Sequence, residues 1–84
     1  MADVRIYTTP VCPYCVRAKS LFTRLGVPFQ EIDLSRDEAL RARLTAEHNW
    51  RTVPMIFVGD HFVGGFDDLN ELHRAGKLTP LLEG

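Results

Sequence analysis

Cys12-Pro13-Tyr14-Cys15 stands between a strand-like run, Val4-Arg5-Ile6-Tyr7, and a helical pattern with apolar positions at Cys15, Ala18, Leu21, Phe22 and Leu25. The two cysteines therefore sit where a strand hands over to a helix. Pro13 suits the first helical position, where a missing N–H has no intrahelical partner to lose. Cys12 then falls at the N-cap, facing the helix's unpaired N–H groups and the positive end of its dipole. A thiolate there is favoured over the thiol, so the expected pKa lies below the free value of about 8.5. Cys15 lies one turn deeper, on the side of Ala18 and Phe22. An exposed, electropositive Cys12 beside a partly covered Cys15 reads as an attacking and a resolving thiol, and this placement of a Cys-x-x-Cys is that of a redox motif.

Outward from the motif, the first strand is expected over Val4 to Thr8, with Thr9-Pro10-Val11 delivering Cys12. Gly26 can take the left-handed position after the first helix, and Pro28 prevents its continuation. Phe29-Gln30-Glu31-Ile32-Asp33 alternates apolar and polar and reads as a second strand. Strand, helix and strand in close succession make a right-handed βαβ unit with parallel strands. Ser35-Arg36-Asp37-Glu38 has the pattern of a capping box, Ser at the N-cap and Glu at N3, and opens a second helix to about His48 with Ala39, Leu40 and Leu44 on its apolar face. Trp50-Arg51-Thr52 is a loop, with Trp50 a packing residue. Met55-Ile56-Phe57-Val58 and His61-Phe62-Val63, joined by Gly59-Asp60, form an antiparallel hairpin. After Gly64-Gly65, Asp67-Asp68 can cap a third helix with Leu69, Leu72 and Ala75 on one face and Gly76 as terminator. Thr79-Pro80-Leu81-Leu82 adds a last turn. The order β-α-β-α-β-β-α predicts an α/β fold with a mixed sheet and helices on both faces.

A chain of 84 residues suffices for one small domain that hides roughly 60 to 65% of its unfolded surface. The 45% hydrophobic and 25% charged content is that of an ordinary globular protein. A net charge of −1 lacks the basic footprint of a nucleic-acid binder. The first residues, Met1-Ala2-Asp3-Val4-Arg5, show no apolar h-region, and the apolar runs are too short to span a bilayer. The cytoplasm is the expected compartment, where paired cysteines are catalytic or metal-binding more often than structural. His48, His61 and His73 are widely spaced and form no His-x3-5-His pair, so no metal site with Cys12 and Cys15 is expected. Arg36, Arg41 and Arg43 read as a solvated helix face.

Three segments together carry a family resemblance: Cys12-Pro13-Tyr14-Cys15, Arg51-Thr52-Val53-Pro54 before the third strand, and Gly64-Gly65-Phe66-Asp67-Asp68 opening the third helix. In this order and spacing, along essentially the whole chain, the sequence resembles the dithiol glutaredoxins, and bacterial glutaredoxin 3 in particular. The resemblance implies a thioredoxin fold over a single domain, 1–84, in which a four-stranded mixed sheet has the strand order second, first, third, fourth. The third strand runs antiparallel, three or more helices flank the sheet, and Pro54 is cis. It implies a glutathione-dependent disulfide oxidoreductase acting through Cys12 and Cys15, with glutathione as reducing cosubstrate and no bound cofactor or metal. Its partners are then disulfide-containing or glutathionylated proteins, and it works as a monomer without nucleic acid or membrane.

Glutathione is an extended peptide, so the backbone of Val53 beside Pro54 can pair with it by strand addition. The N–H groups of Phe66 and Asp67 offer a carboxylate site at a helix start, with the Gly64-Gly65 pair permitting close approach. An Asp67 or Asp68 carboxylate can take the γ-glutamyl ammonium. Arg51 is matched to the glycyl carboxylate, and Tyr14 and Thr52 to the walls of the cysteinyl slot. The chain departs from the family at Thr9, where many members carry a lysine that holds the thiolate and a substrate carboxylate. That burden passes to Arg51, Arg17 or Lys19. Met55 stands where Gln is common, and Phe66 where some members have an extra cysteine. Two other readings stay open: a dimer bridged by a [2Fe–2S] cluster, which Pro13 argues against, and a glutaredoxin-like reductase served by thioredoxin reductase, which Gly64-Gly65-Phe66-Asp67-Asp68 argues against.

Overall fold

In the computed structural model, which describes residues 2–84, the chain forms β1 (Val4–Thr8), α1 (Pro13–Arg24), β2 (Gln30–Asp33) and α2 (Glu38–His48). β3 (Met55–Val58), β4 (His61–Gly64), α3 (Phe66–Arg74) and α4 (Leu78–Glu83) follow. The sheet order is β2-β1-β3-β4. β1 runs parallel to β2, with Tyr7 opposite Ile32, and antiparallel to β3, with Ile6 opposite Ile56. The parallel pair needs a crossover, which α1 supplies, whereas Gly59-Asp60 suffices to join the antiparallel β3 and β4. This is the strand order that the family resemblance implies.

Side chains alternate across a strand, and the two central strands use both faces. Val4, Ile6, Ile56 and Val58 meet Ala18, Leu21 and Phe22 of α1, Leu69 of α3, and Leu78 and Leu82 of α4. Their neighbours Tyr7, Met55 and Phe57 point the other way and pack with Leu44 of α2. All four residues of β3 are consequently buried, which accounts for its unbroken apolar run. Edge strand β2 buries far less: Ile32 is half-buried and its neighbours are exposed.

Several local expectations shift. The α2 N-cap is Asp37, whose carboxylate accepts from the Leu40 N–H at 3.0 Å. Ser35 instead donates its backbone N–H to Asp33 Oδ1 at 2.8 Å, in a turn that leaves β2, so the helix starts two residues later than the Ser35 cap predicts. Ala39 is then exposed, while Leu40 is half-buried and Leu44 buried. Leu25 is the C-cap of α1, past its last regular turn, and stays 40% exposed. Phe29 falls just before β2 and packs on Phe22 with ring centroids 6.1 Å apart. Asp68 caps α3 as expected, but from N3 with Gly65 at the N-cap, and Ala75, the C-cap, is exposed. No helix among the described residues is long and apolar enough to cross a membrane.

Candidate active site

The turn out of β1 delivers Cys12 as the N-cap of α1, with Pro13 at the first helical position. Its backbone is extended, φ −150° and ψ 98°, and Sγ accepts from the Cys15 N–H at 3.1 Å. Cys12 and Cys15 are joined in a disulfide, with their Cα atoms 5.2 Å apart. An amide N–H aimed at sulfur stabilises a thiolate more than a thiol. Cys12 is less open than its cap position suggests. It is 8% exposed and Cys15 is 2% exposed, because one flank of the Cys12 sulfur meets Cys15 and another the Val53 carbonyl oxygen, 3.6 Å away. Exposure falls instead on the neighbours, Val11 and Tyr14.

Val53 belongs to the loop that leads into β3, and the Val53–Pro54 peptide bond is cis. Beside this loop the start of α3 completes a cavity of about 270 Å³, lined by Tyr14, Thr52, Val53, Pro54, Gly65, Phe66, Asp67 and Asp68. Residues from three distant stretches thus line one groove next to Cys12. Arg51 is not among them; it is exposed in the loop. The three cations offered as alternatives for the missing lysine at Thr9 diverge. Arg17 lies over the ring of the groove residue Tyr14, 5.2 Å from its centroid, without lining the groove itself. Lys19 is paired to Glu31 at 2.9 Å and does not line it.

The α3 start is built by an unusual cap. Gly65 has no side chain to offer, so Asp68 reaches back from N3 and its Oδ2 accepts from the Gly65 N–H at 3.0 Å. The next N–H groups of the first turn have no intrahelical partner, and their residues, Phe66 and Asp67, line the groove. Gly64 makes the cap possible. Its φ is +112°, and a Cβ there would lie 2.6 Å from Asp68 Oδ2 and 3.3 Å from the Trp50 ring. Gly65 itself lines the groove, where a Cβ would lie 3.3 Å from the Trp50 ring.

Trp50, read from the sequence as a packing residue, does pack and also lines the groove, a place the sequence did not assign it. It lines the cavity, packs edge-on to Phe62 with centroids 5.5 Å apart, and its Nε1–H is buried without a protein acceptor. Its place four residues before Pro54 gave no periodicity to read, and the contact with Gly64-Gly65 is made only in the fold. Phe62 continues the packing to His48, stacked at 4.6 Å, and Phe57, at 5.1 Å.

On the other side of the disulfide, Glu31 accepts from Lys19 Nζ at 2.9 Å and from the Thr8 hydroxyl at 2.8 Å. The Lys19 bond first, and the Thr8 bond second, hold its carboxyl below the usual range. Asp33 is lowered too, by its bonds from Ser35. No group of three or more His, Cys, Asp or Glu side chains converges as a metal site among the described residues.

Known proteins agree with this geometry. The family model described as Glutaredoxin matches residues 4–63. A Pseudomonas aeruginosa protein named Glutaredoxin is 54% identical over 82 residues, 98% of each chain. Glutaredoxin 3 of Escherichia coli K12 is 45% identical over 83 residues, covering 99% of this chain and all of its own. The crystal structure of a buckwheat glutaredoxin–glutathione complex superposes with a TM-score of 0.92 at 38% identity, over 98% of this chain and 77% of that one. The sheet order, the flanking helices and the paired cysteines at the head of α1 make this a thioredoxin fold carrying a dithiol redox centre. The chain belongs to the glutaredoxin family of thiol–disulfide oxidoreductases.

Proposed function

We propose that this oxidoreductase is glutathione-dependent and reduces both glutathione mixed disulfides and protein disulfides. The observation that carries the reading is the groove: the Val53-Pro54 backbone and the start of α3 converge on one cavity, and Val53 lies 3.6 Å from the Cys12 sulfur. An extended tripeptide can pair with Val53, while the Phe66 and Asp67 N–H groups take its γ-glutamyl carboxylate. Asp67 or Asp68 receives the ammonium. With one oxygen of Asp68 already on the Gly65 N–H, the exposed Asp67 is the freer of the two. Tyr14 and Thr52 wall the cysteinyl slot, and Arg51, exposed in the same loop and outside the groove lining, is assigned the glycyl carboxylate. The solved buckwheat complex, by its name, holds glutathione, which supports the same ligand here.

In this mechanism the Cys12 thiolate attacks the glutathionyl sulfur of a mixed disulfide. The old S–S bond breaks, its electron pair leaves on the other thiol, and Cys12 carries the glutathionyl group. A second glutathione thiolate attacks that group, releasing glutathione disulfide and the Cys12 thiolate. With a protein disulfide, Cys12 forms a mixed disulfide with the client. Cys15 then attacks the Cys12 sulfur, the client thiol departs, and two glutathiones reduce the resulting Cys12–Cys15 disulfide. Thiolate fraction and leaving-group pKa set these rates. The reading makes the chain a cytoplasmic monomer, in a compartment where such disulfides cycle rather than staple.

A coupled assay with glutathione, glutathione reductase and a small mixed disulfide tests it. Turnover is expected, lost in Cys12→Ser and kept in Cys15→Ser. Equal loss in both variants would refute the division of labour. Turnover with thioredoxin reductase but none with glutathione would reverse the choice of reductant, and a brown dimer from anaerobic purification would favour the cluster-bridged form.

A further inference from the structure

Cys15 is the resolving thiol in the proposed cycle, yet at 2% exposure its thiolate would form almost out of water, where desolvation disfavours the charged form. A cavity of about 400 Å³, sharing no lining residue with the glutathione groove, is walled by Cys12, Cys15, Thr8, Lys19, Glu31 and Asp33 among others. Lys19 is the one cation lining it. On α1 it follows Cys15 by four residues, a spacing that puts two side chains on one helix face with Cβ atoms roughly 5–6 Å apart.

A surface lysine ordinarily wanders on its four-carbon stem. This one is tethered. Its Nζ is bound to Glu31 Oε2 at 2.9 Å, and the same oxygen accepts at 2.8 Å from Thr8, which is itself 2% exposed on β1. The chain of contacts Thr8–Glu31–Lys19 thus fixes the ammonium to the sheet at the mouth of the Cys15 cavity. The other charges facing that cavity are both carboxylates, Glu31 and Asp33 on β2. Removing the cation alone would leave two carboxylates as the only charges lining the cavity that Cys15 lines.

We propose that Lys19, held in place by Glu31 and Thr8, is a positioning residue for the Cys15 half of the cycle, its ammonium stabilising the Cys15 thiolate. The proposal rests on the assignment of Cys15 as resolver. It acts twice. When glutathione thiolate attacks Cys12 of the disulfide, the Cys12–Cys15 bond breaks as the new S–S bond to Cys12 forms, and the electron pair departs on Cys15, a better leaving group beside a cation. When Cys15 resolves a client mixed disulfide, the same charge raises the thiolate fraction that attacks Cys12.

The test reads Cys15 alone. In Cys12→Ser protein, ultraviolet thiolate absorbance followed against pH titrates Cys15 without any glutathione. Adding Lys19→Met is expected to raise the midpoint by about one pH unit, roughly tenfold less thiolate at a fixed lower pH, and Lys19→Arg is expected to restore it. With both cysteines present, Lys19→Met should slow reduction of a protein disulfide several-fold and make the Cys12–Cys15 couple harder to reduce. In Cys15→Ser protein the same substitution should leave glutathione mixed-disulfide turnover at the Cys15→Ser level. An unmoved Cys15 titration, failure of Arg to restore it, or an equal loss in the Cys15→Ser background would overturn the proposal. Absence of any turnover with glutathione would instead sink the proposed function, and the titration would still decide the role of Lys19.

Discussion

Replacing Gly64 with alanine attacks the α3 cap through two separate terms. At φ +112° a side chain is strained whatever the space, a cost of about 1–3 kcal/mol. The new Cβ would also lie 2.6 Å from Asp68 Oδ2, a contact the carboxylate can relieve by swinging away. Swinging away breaks its 3.0 Å bond to the Gly65 N–H, a cap of about 1 kcal/mol. The sum, ~2–4 kcal/mol, is a large part of the ~4–13 kcal/mol available to a chain of this size, and corresponds to a fall in Tm of ~10–25 °C. Thermal unfolding followed by circular dichroism measures it. Gly26→Ala is the control: φ is +70° with nothing within 4 Å of the built Cβ, so only backbone strain of about 1–2 kcal/mol applies. A double-mutant cycle isolates the clash. Asp68→Ala alone loses the cap, and Gly64→Ala with Asp68→Ala should be less destabilising than the sum by about 1 kcal/mol, because the cap is lost only once. A Gly64→Ala protein within 0.5 kcal/mol of wild type, or strictly additive substitutions, would refute the reasoning.

Further expectations follow from the same contacts. Trp50→Ala, by emptying the space under Gly64-Gly65 and the edge of Phe62, should cost ~2–3 kcal/mol, below the value for a fully buried aromatic, and raise the KM for glutathione more than it lowers kcat. Trp50→Phe keeps a ring and removes the unpartnered N–H, so chemical denaturation should find it within ~1 kcal/mol of wild type. If Phe proves as damaging as Ala, ring packing is not what Trp50 supplies. Glu31 has a carboxyl held below its ordinary value of 4.5 in the folded chain, so the stability it contributes is present above that value and is lost as pH falls toward the folded one. Glu31→Gln should flatten the acid limb of a stability–pH curve below about pH 5. At neutral pH it should change stability by no more than ~1 kcal/mol, since the pair is part-exposed and solvent-screened. An unaltered acid limb would show that the pair does not persist in solution.

Local chemistry was written in the sequence. Cys12 at an N-cap with Pro13 behind it, the strand Met55–Val58, the Gly59-Asp60 hairpin and the exit of α1 at Gly26 follow from short-range pattern and turn residues. Where two caps competed within three residues, at Ser35 and Asp37, local pattern was insufficient: the Asp33 carboxylate claimed the Ser35 N–H and moved the helix start. The resemblance of the three motif segments carried the sheet order and the cis Val53–Pro54 bond, which no periodicity encodes. Tertiary structure alone decided what depends on contacts between distant stretches. It set the burial of Cys12 against Val53, put Trp50 against Gly64-Gly65, left Arg51 outside the groove, and drew Lys19 away to Glu31 on β2. The physical reason is range. A cap or a turn is settled by atoms a few residues apart, whereas the surroundings of a sulfur at the head of a helix are set by whichever loops and strands the sheet order brings beside it.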